Sequence, residues 1–405
     1  MLPVGVGGCD PELTEPRAWL WSGALGPRSV EVRARVLDNP APPLFLRAEV
    51  TGASGSQHPP DRVGASGVAA FSLTGLSPGT RYRIRVGGME GGFRTPLEGP
   101  QSFRIAFGSC SGNGSEHPVF EAIRARDPLL FLHLGDMHYR DIDRPDRERF
   151  LRAYDEALST PAQARLYRHV PLAYVWDDHD FGPNDADRTA PGRETALGVF
   201  REVVPHHPLG LSDPLAPAGR AFTVGRVRFV LTDLRSARSP RSDPRPTMLG
   251  SAQKAWLLAE LSRASRTHAL VVWGSPVPWI SDRSDDWGGY PAERREISNH
   301  IVREGIDNLL MVAGDAHMVA LDDGRHNDFA SVGPGPGFPV FHASALDRSG
   351  SVKGGPYSEG VIRGGGHFGE LDFEDDGAGP LRVTGRGRTA DGRILLEHAF
   401  RPAPS

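Results

Sequence analysis

The chain has 405 residues, enough for two or three domains and a sizeable core. Hydrophobic residues make up 39% and charged residues 24%, which excludes a wholly disordered chain and a coiled coil. Basic (46) and acidic (50) residues are spread along the sequence, with no polybasic stripe for nucleic acid or an anionic membrane.

Glycine (49) and proline (36) are abundant without a collagen period, so long loops that carry function are expected. Lys254 and Lys353 are the only lysines, an arginine bias read as compositional. Cys9 and Cys110 do not make a disulfide framework, and no C-x-x-C pair is present. Met1 to Trp21 lack the basic-then-apolar order of a secretory signal, and no run approaches the roughly 18 apolar residues of a membrane span. Cytoplasmic residence is expected, with an exported form lacking its signal as the alternative. Oligomeric state is not legible.

From about Ala18 to Arg104 the apolar period is two. Val30, Val32, Ala34 and Val36 alternate with Glu31, Arg33 and Arg35, and Tyr82, Ile84 and Val86 with Arg81, Arg83 and Arg85. This is the pattern of half-buried antiparallel strands, and Leu44–Val50 and Val68–Leu73 read as two more. The turn Leu76 to Thr80, just before a tyrosine-bearing strand, is similar to the corner of a fibronectin type III or immunoglobulin-like sandwich. Residues 1–102 are therefore expected as a small all-β sandwich and 103–405 as the catalytic domain.

After Phe103 short apolar runs alternate with helical patterns. Buried strands are expected at 104–107, 129–134, 172–176, 227–232, 269–273 and 308–313, and helices at 119–126, 147–158, 252–263 and 292–304, which makes a layered α/β domain. Glycine-rich loops dominate 324–405, with short strand candidates at 340–343 and 394–397.

Polar residues collect just past the carboxyl ends of these strands. Gly108-Ser109-Cys110 follows the first, Gly135-Asp136-Met137-His138-Tyr139 the second, Asp177-Asp178-His179-Asp180 the third, Asp233 to Arg238 the fourth and Gly314-Asp315-Ala316-His317 the sixth. Ligands in α/β sheets bind outside those ends, so the clusters can converge. Together they offer carboxylates, imidazoles, a phenol and a thiol: a metal site whose mixed donors suit two unlike cations, with Asp136 placed to bridge them. Two cations about 3.5–4 Å apart can clamp a phosphate and activate water as hydroxide. Arg235 and Arg238 supply guanidiniums that match phosphate oxygens.

Several residues read two ways. Cys110 is a small buried residue or a ligand, and Asp177 either caps the following segment or supports Asp178 as the ligand. His206-His207 lies in a proline-rich connection and reads as loop. Asp285, Asp286, Trp287 and Tyr290 are either a surface loop or a substrate rim, and Asp322-Asp323-Gly324 is a turn.

Taken in order, Gly108-Ser109-Cys110, Gly135-Asp136-x-x-Tyr139, Trp176-Asp177-Asp178-His179-Asp180, Asp233-x-Arg235-x-x-Arg238, Asp286-Trp287-x-Gly289-Tyr290 with Glu293-Arg294, and Gly314-Asp315-x-His317 resemble the alkaline phosphatase D (PhoD-like) family. That resemblance implies a β-sandwich before a calcineurin-like, four-layer α/β/β/α metallophosphatase domain, and hydrolysis of phosphomonoesters and phosphodiesters at alkaline pH by attack of a metal-bound hydroxide. It further implies ferric iron held by Cys110, Asp136 and Tyr139 with His317 as a fourth ligand. Calcium would be held by Asp136, Asp178 and Asp315, and a second calcium by Asn184. Arg235 and Arg238 would face the phosphate, and His179 would donate a proton to the leaving oxygen. A zinc, manganese or magnesium pair is the alternative metal content. Exported members carry a twin-arginine signal that this sequence lacks, and Gly274 stands where purple acid phosphatases place a metal-binding histidine. The competing readings are a binding protein that keeps metal for stability alone, and, among enzymes, a phospholipase D-like phosphodiesterase.

Overall fold

The computed structural model describes residues 17–37, 47–51, 56–64, 66–333, 335 and 337–403. Cys9, most of the stretch before Trp21 and the start of the strand expected at 44–50 lie outside them. The N-terminal part contains β1 (Ala18–Gly23), β2 (Ser29–Val36), β3 (Ala48–Thr51), β4 (Ser56–His58), β5 (Arg62–Val63), β6 (Ala69–Thr74), β7 (Arg81–Val86) and β8 (Met89–Arg94). There follow β9 (Phe103–Gly108), α1 (Val119–Ala125), β10 (Leu130–Leu134), α2 (Arg147–Ser159), α3 (Pro161–His169), β11 (Leu172–Val175), α4 (Asp178–Phe181) and α5 (Arg193–Val203). The rest comprises β12 (Arg220–Val224), β13 (Val227–Leu231), α6 (Gly250–Ser265), β14 (Leu270–Ser275), α7 (Pro291–Arg303), β15 (Leu309–Ala313), β16 (Met318–Asp322), β17 (Val340–Ala343), β18 (Gly360–Arg363), β19 (His367–Glu374), β20 (Arg382–Thr389) and β21 (Ile394–Phe400).

The result is a mixed α/β fold on three sheets. One runs β21-β20-β19-β9-β10-β11-β1-β2-β6-β5, a second β12-β13-β14-β15-β17-β16-β18, and a third β4-β3-β7-β8. The first has a parallel centre at β9, β10 and β11, and the second a parallel run from β13 through β14 and β15 to β17. Of the segment expected as a separate sandwich (residues 1–102), β1, β2, β5 and β6 share a sheet with the segment after it, because β1 pairs parallel to β11 at Gly23 and Leu172, while β3, β4, β7 and β8 keep a sheet of their own. The composition of β1 explains this. Every residue of Ala-Trp-Leu-Trp-Ser-Gly is buried, as in a strand covered on both faces, whereas β7 alternates strictly and keeps one face wet. The indole N–H groups of β1 are satisfied from the helices, Trp19 donating to Asp155 (2.7 Å) and Trp21 to the Val203 carbonyl (3.0 Å). The tyrosine after the Leu76–Thr80 turn accepts a hydrogen bond at its hydroxyl from the Ser77 N–H (2.8 Å).

Strand alternation divides the second sheet between two cores. Phe229, Leu231, Val272, Leu310 and Val312 face the core shared with the first sheet, while Val230, Val271, Trp273, Leu309 and Met311 join Leu257, Leu261, Ile297 and Ile301 of α6 and α7. Where β20 packs on the second sheet, glycine is required: a Cβ on Gly385 would stand 2.1 Å from the Phe341 ring. The two parallel centres thus end on the same side, and their carboxyl-terminal loops meet.

Candidate metal centre

Each of the expected clusters sits in the turn after a parallel strand. Cys110 (φ 64°), Asp136 (φ 55°) and Asp315 (φ 63°), after β9, β10 and β15, all adopt left-handed backbone, which is rare for residues with a Cβ and is concentrated here. The two sheets touch at this point: a Cβ on Gly314 would lie 2.7 Å from the Leu134 carbonyl and 2.8 Å from Ser109 Oγ, so only glycine lets the loop after β15 reach the loops of β9 and β10.

Around Asp136 the donors converge. Its Oδ2 accepts from the Tyr139 hydroxyl (2.9 Å) and lies 3.4 Å from Cys110 Sγ, and the Tyr139 hydroxyl is 3.4 Å from His317 Nε2. His317 donates from Nδ1 to the Ser349 carbonyl (2.6 Å), which turns its Nε2 lone pair inward. Burial, with Asp136 and Asp315 nearby, pushes the Cys110 thiol well up, and burial with the same Asp136 raises the Tyr139 phenol. Neither ionises without a cation beside it. Asp136 Oδ1 is buried and has no hydrogen-bond partner among the described residues. A desolvated carboxylate oxygen in that state is expensive unless a cation completes it, so this donor set fits a metal.

The loop after β11 supplies the second half. One donor atom each of Asp136, Asp178 and His179 lies within 4.8 Å of the others, as in two further acidic groups, Asp178 with Asp185 and Asp285, and Asp285 with Asp286 and Asp315. His179 donates from Nδ1 to Asp141 (2.6 Å), and its ring sits 4.1 Å from that of Tyr139. Against burial, Asp136 and Asp178 raise the His179 pKa. Asp178 accepts the Asp185 N–H (2.7 Å), while Asn184, next to it, is exposed. Asp180 points away from any ligand position and instead gathers the backbone N–H groups of Asp136 (2.6 Å), Met137 (2.8 Å), His138 (3.3 Å) and Asp177 (3.0 Å).

Arg235 and Arg238 are at the centre but buried and committed to protein partners. Arg235 donates to Asp177 (2.5 Å) and, in a two-pronged pair, to Asp285 (3.1 Å each), with Asp178 at 3.5 Å. Arg238 donates to Asp285 (2.6 Å) and to the Tyr290 hydroxyl (2.7 Å), leaving one buried terminal nitrogen without a partner. Despite burial, these guanidiniums hold the Asp285 carboxyl far below the usual carboxylate range, whereas Asp286, buried and beside Asp315, is pushed up to about 7. Asp285 therefore belongs to the site and not to a surface loop. His206 and His207 stack on Phe200 and Phe222 and form no metal pair, and Asp322 accepts the Gly324 N–H (3.0 Å) as a turn residue does.

Sequence reasoning missed the loop before β18. Asp347 accepts the Gly112 N–H (2.5 Å), Ser349 orients His317, and Lys353 places its ammonium 2.6 Å from both oxygens of Asp315. Arg348 lies with its guanidinium carbon 4.1 Å from the centre of the Tyr139 ring. The sole available signal was that Lys353 is one of two lysines in an arginine-rich chain.

Fold and site together define an α/β protein that gathers acidic donors able to hold metal at the carboxyl ends of two facing parallel sheets. Residues 105–355 match the family described as PhoD-like phosphatase, and the chain belongs to that family. It is 27% identical over 278 residues to alkaline phosphatase D of Bacillus subtilis, covering 55% of this chain and 47% of the relative. To purple acid phosphatase 21 of Arabidopsis thaliana it is 27% identical over 251 residues, covering 60% and 50%. The chain thus spans about half the length of these curated relatives. A solved structure described as the structure of PhoD matches with a TM-score of 0.68 over 96% of this chain and 93% of that one, at 16% identity, which establishes a shared fold.

Proposed function

We propose that the chain is a metal-dependent phosphoesterase acting on phosphate esters at the Asp136 centre. The observation that carries the reading is the buried, unpartnered Asp136 Oδ1 amid Cys110, Tyr139, His317, Asp178 and His179. Cys110, Asp136, Tyr139 and His317 would hold one cation, and the thiol and phenol favour ferric iron there. Asp178, with the shared Asp136, would hold the second, for which an all-oxygen set favours calcium, with Asp315 and Asn184 as further candidate donors. When bound, the cations supply neutralisation of phosphate charge and activation of water.

The protein's own contribution is placement and proton supply. Asp141 fixes His179 through Nδ1, so the opposite nitrogen is presented for proton donation to a leaving alkoxide. Arg235 and Arg238 lock Asp177, Asp178 and Asp285 in register, and the free nitrogen of Arg238 is the part of that pair left for a ligand. The four-layer reading of residues 103–405, with residues 1–102 adding strands at one side, is supported by the two cores that flank the second sheet. Asp136→Ala tests the function: hydrolysis of an aryl phosphate and a bis-aryl phosphate should fall by more than about a thousandfold. Retained activity would overturn it.

A further inference from the structure

Substrate phosphate needs a cationic contact that the protein has not already consumed. Around the centre, Arg235 is held by Asp177 and Asp285, Arg238 by Asp285 and Tyr290 with one buried nitrogen to spare, Arg140 by Glu156 (2.9 Å) and Lys353 by Asp315 (2.6 Å). Arg241 is held by Ser284 (2.5 Å), with Asp185 at 3.7 Å. Arg348 differs from all five. It has no hydrogen bond or ion pair among the described residues, it is exposed, and its guanidinium lies over the face of Tyr139 at 4.1 Å and close enough to His317 to oppose protonation there. The backbone that carries it is nonetheless fixed on both sides. The Leu346 N–H donates to the Ser109 carbonyl (2.9 Å), Asp347 accepts from Gly112, and the Ser349 carbonyl accepts from His317. A guanidinium stacked on a residue of the centre, anchored from behind and with none of its N–H groups engaged among the described residues, is arranged for an anionic ligand.

We infer that Arg348 is a substrate-binding arginine of this site and that it selects phosphomonoesters over phosphodiesters. The inference rests on the phosphoesterase reading above and goes beyond it by naming the substrate class. A phosphate held through two oxygens has one further non-bridging oxygen in a monoester, and that oxygen carries charge. In a diester the same position bears a second ester group with no charge to pair. A guanidinium above the Tyr139 ring matches the first and gains nothing from the second.

The test compares Arg348→Ala and Arg348→Lys with the unaltered chain, measuring kcat/KM on an aryl phosphate and a bis-aryl phosphate, competitive inhibition by inorganic phosphate, and metal content. Arg348→Ala should lower monoester kcat/KM by about 10- to 100-fold, weaken phosphate inhibition to a similar extent, and leave diester hydrolysis and metal content nearly unchanged. Arg348→Lys, which keeps the charge and loses the fork, should recover part of the loss. Equal losses on both esters, unaltered phosphate inhibition, or loss of metal through Tyr139 would each overturn the inference. If the unaltered chain hydrolyses neither ester, the phosphoesterase reading fails by itself. Arg348 is then decided by calorimetric binding of inorganic phosphate, where an Arg348→Ala variant that binds as tightly as the parent overturns it and one that binds more weakly supports it.

Discussion

Asp180 illustrates how one side chain can set a site without facing it. Its carboxylate accepts from four backbone N–H groups, three in the loop after β10 and one after β11, and so fixes where Asp136 and Asp178 stand relative to each other. Asp180→Ala would strand four buried donors, each worth about 1–3 kcal/mol when left without an acceptor, though not additively. The expected result is a fall in melting temperature together with loss of bound metal, read by calorimetry and elemental analysis. Retention of both would show that the loops hold themselves. Asp136 and the donors next to it were legible in the sequence because each follows a strand end. Asp180 was not, since a carboxylate serving backbone looks identical in sequence to one serving a cation. Arg235 and Arg238 were legible as site residues, but their saturation by Asp177 and Asp285 depends on a loop whose path no spacing reveals.

The elements repeat this contrast. Alternating β7 and the continuous runs of β10, β11 and β15 announce themselves through their periodicity, whereas β19 and β20 hide behind Gly369, Gly385 and Gly387, which read as loop. Those glycines are there because Phe341 and Val319 of the facing sheet occupy the space a Cβ would take at Gly385 and Gly387. The segment between β17 and β18 was equally opaque, having no period at all, yet it presents Asp347, Arg348, Ser349 and Lys353 to the centre. Lys353→Met would remove the ammonium that neutralises Asp315, leaving a largely buried carboxylate beside Asp286. Breaking such a pair costs about 3–5 kcal/mol. Chelated Lys353→Met protein should therefore melt well below chelated parent, with a divalent cation restoring more of the loss than it adds to the parent. Equal melting temperatures would contradict the pairing.

At the scale of the whole molecule, the two facing sheets bury imidazoles that have no hydrogen-bond partners among the described residues. His133 of β10 and His342 of β17 have neither ring nitrogen hydrogen-bonded, and His138 lacks a partner at Nε2. Burial pulls all three down to about 3. The ordinary value is near 6.5, so below that pH the unfolded chain takes up protons that the folded chain does not. Stability should be full at pH 7 and above and fall as pH drops, by about 1.4 kcal/mol per pH unit for each histidine. Burial also pulls His206 down to about 4 and His207 to about 3, so His133→Phe, a ring placed among Phe131, Tyr167 and Tyr174, should reduce the histidine part of the slope of melting temperature against pH between 6 and 4.5 by about a fifth. An unchanged slope would show that those imidazoles are not the acid-sensitive groups.

The same facing sheets bring donors from residues 110, 136, 139, 178 and 317 to one place, and the account stands on a cation being there. The most direct measurement is elemental analysis of the full chain purified without a metal-affinity step, alongside Asp136→Ala. The account predicts stoichiometric iron with calcium in the parent and loss of both in the variant. A parent that hydrolyses phosphate esters while holding no stoichiometric metal, or a variant that keeps the parent's metal content, would contradict it.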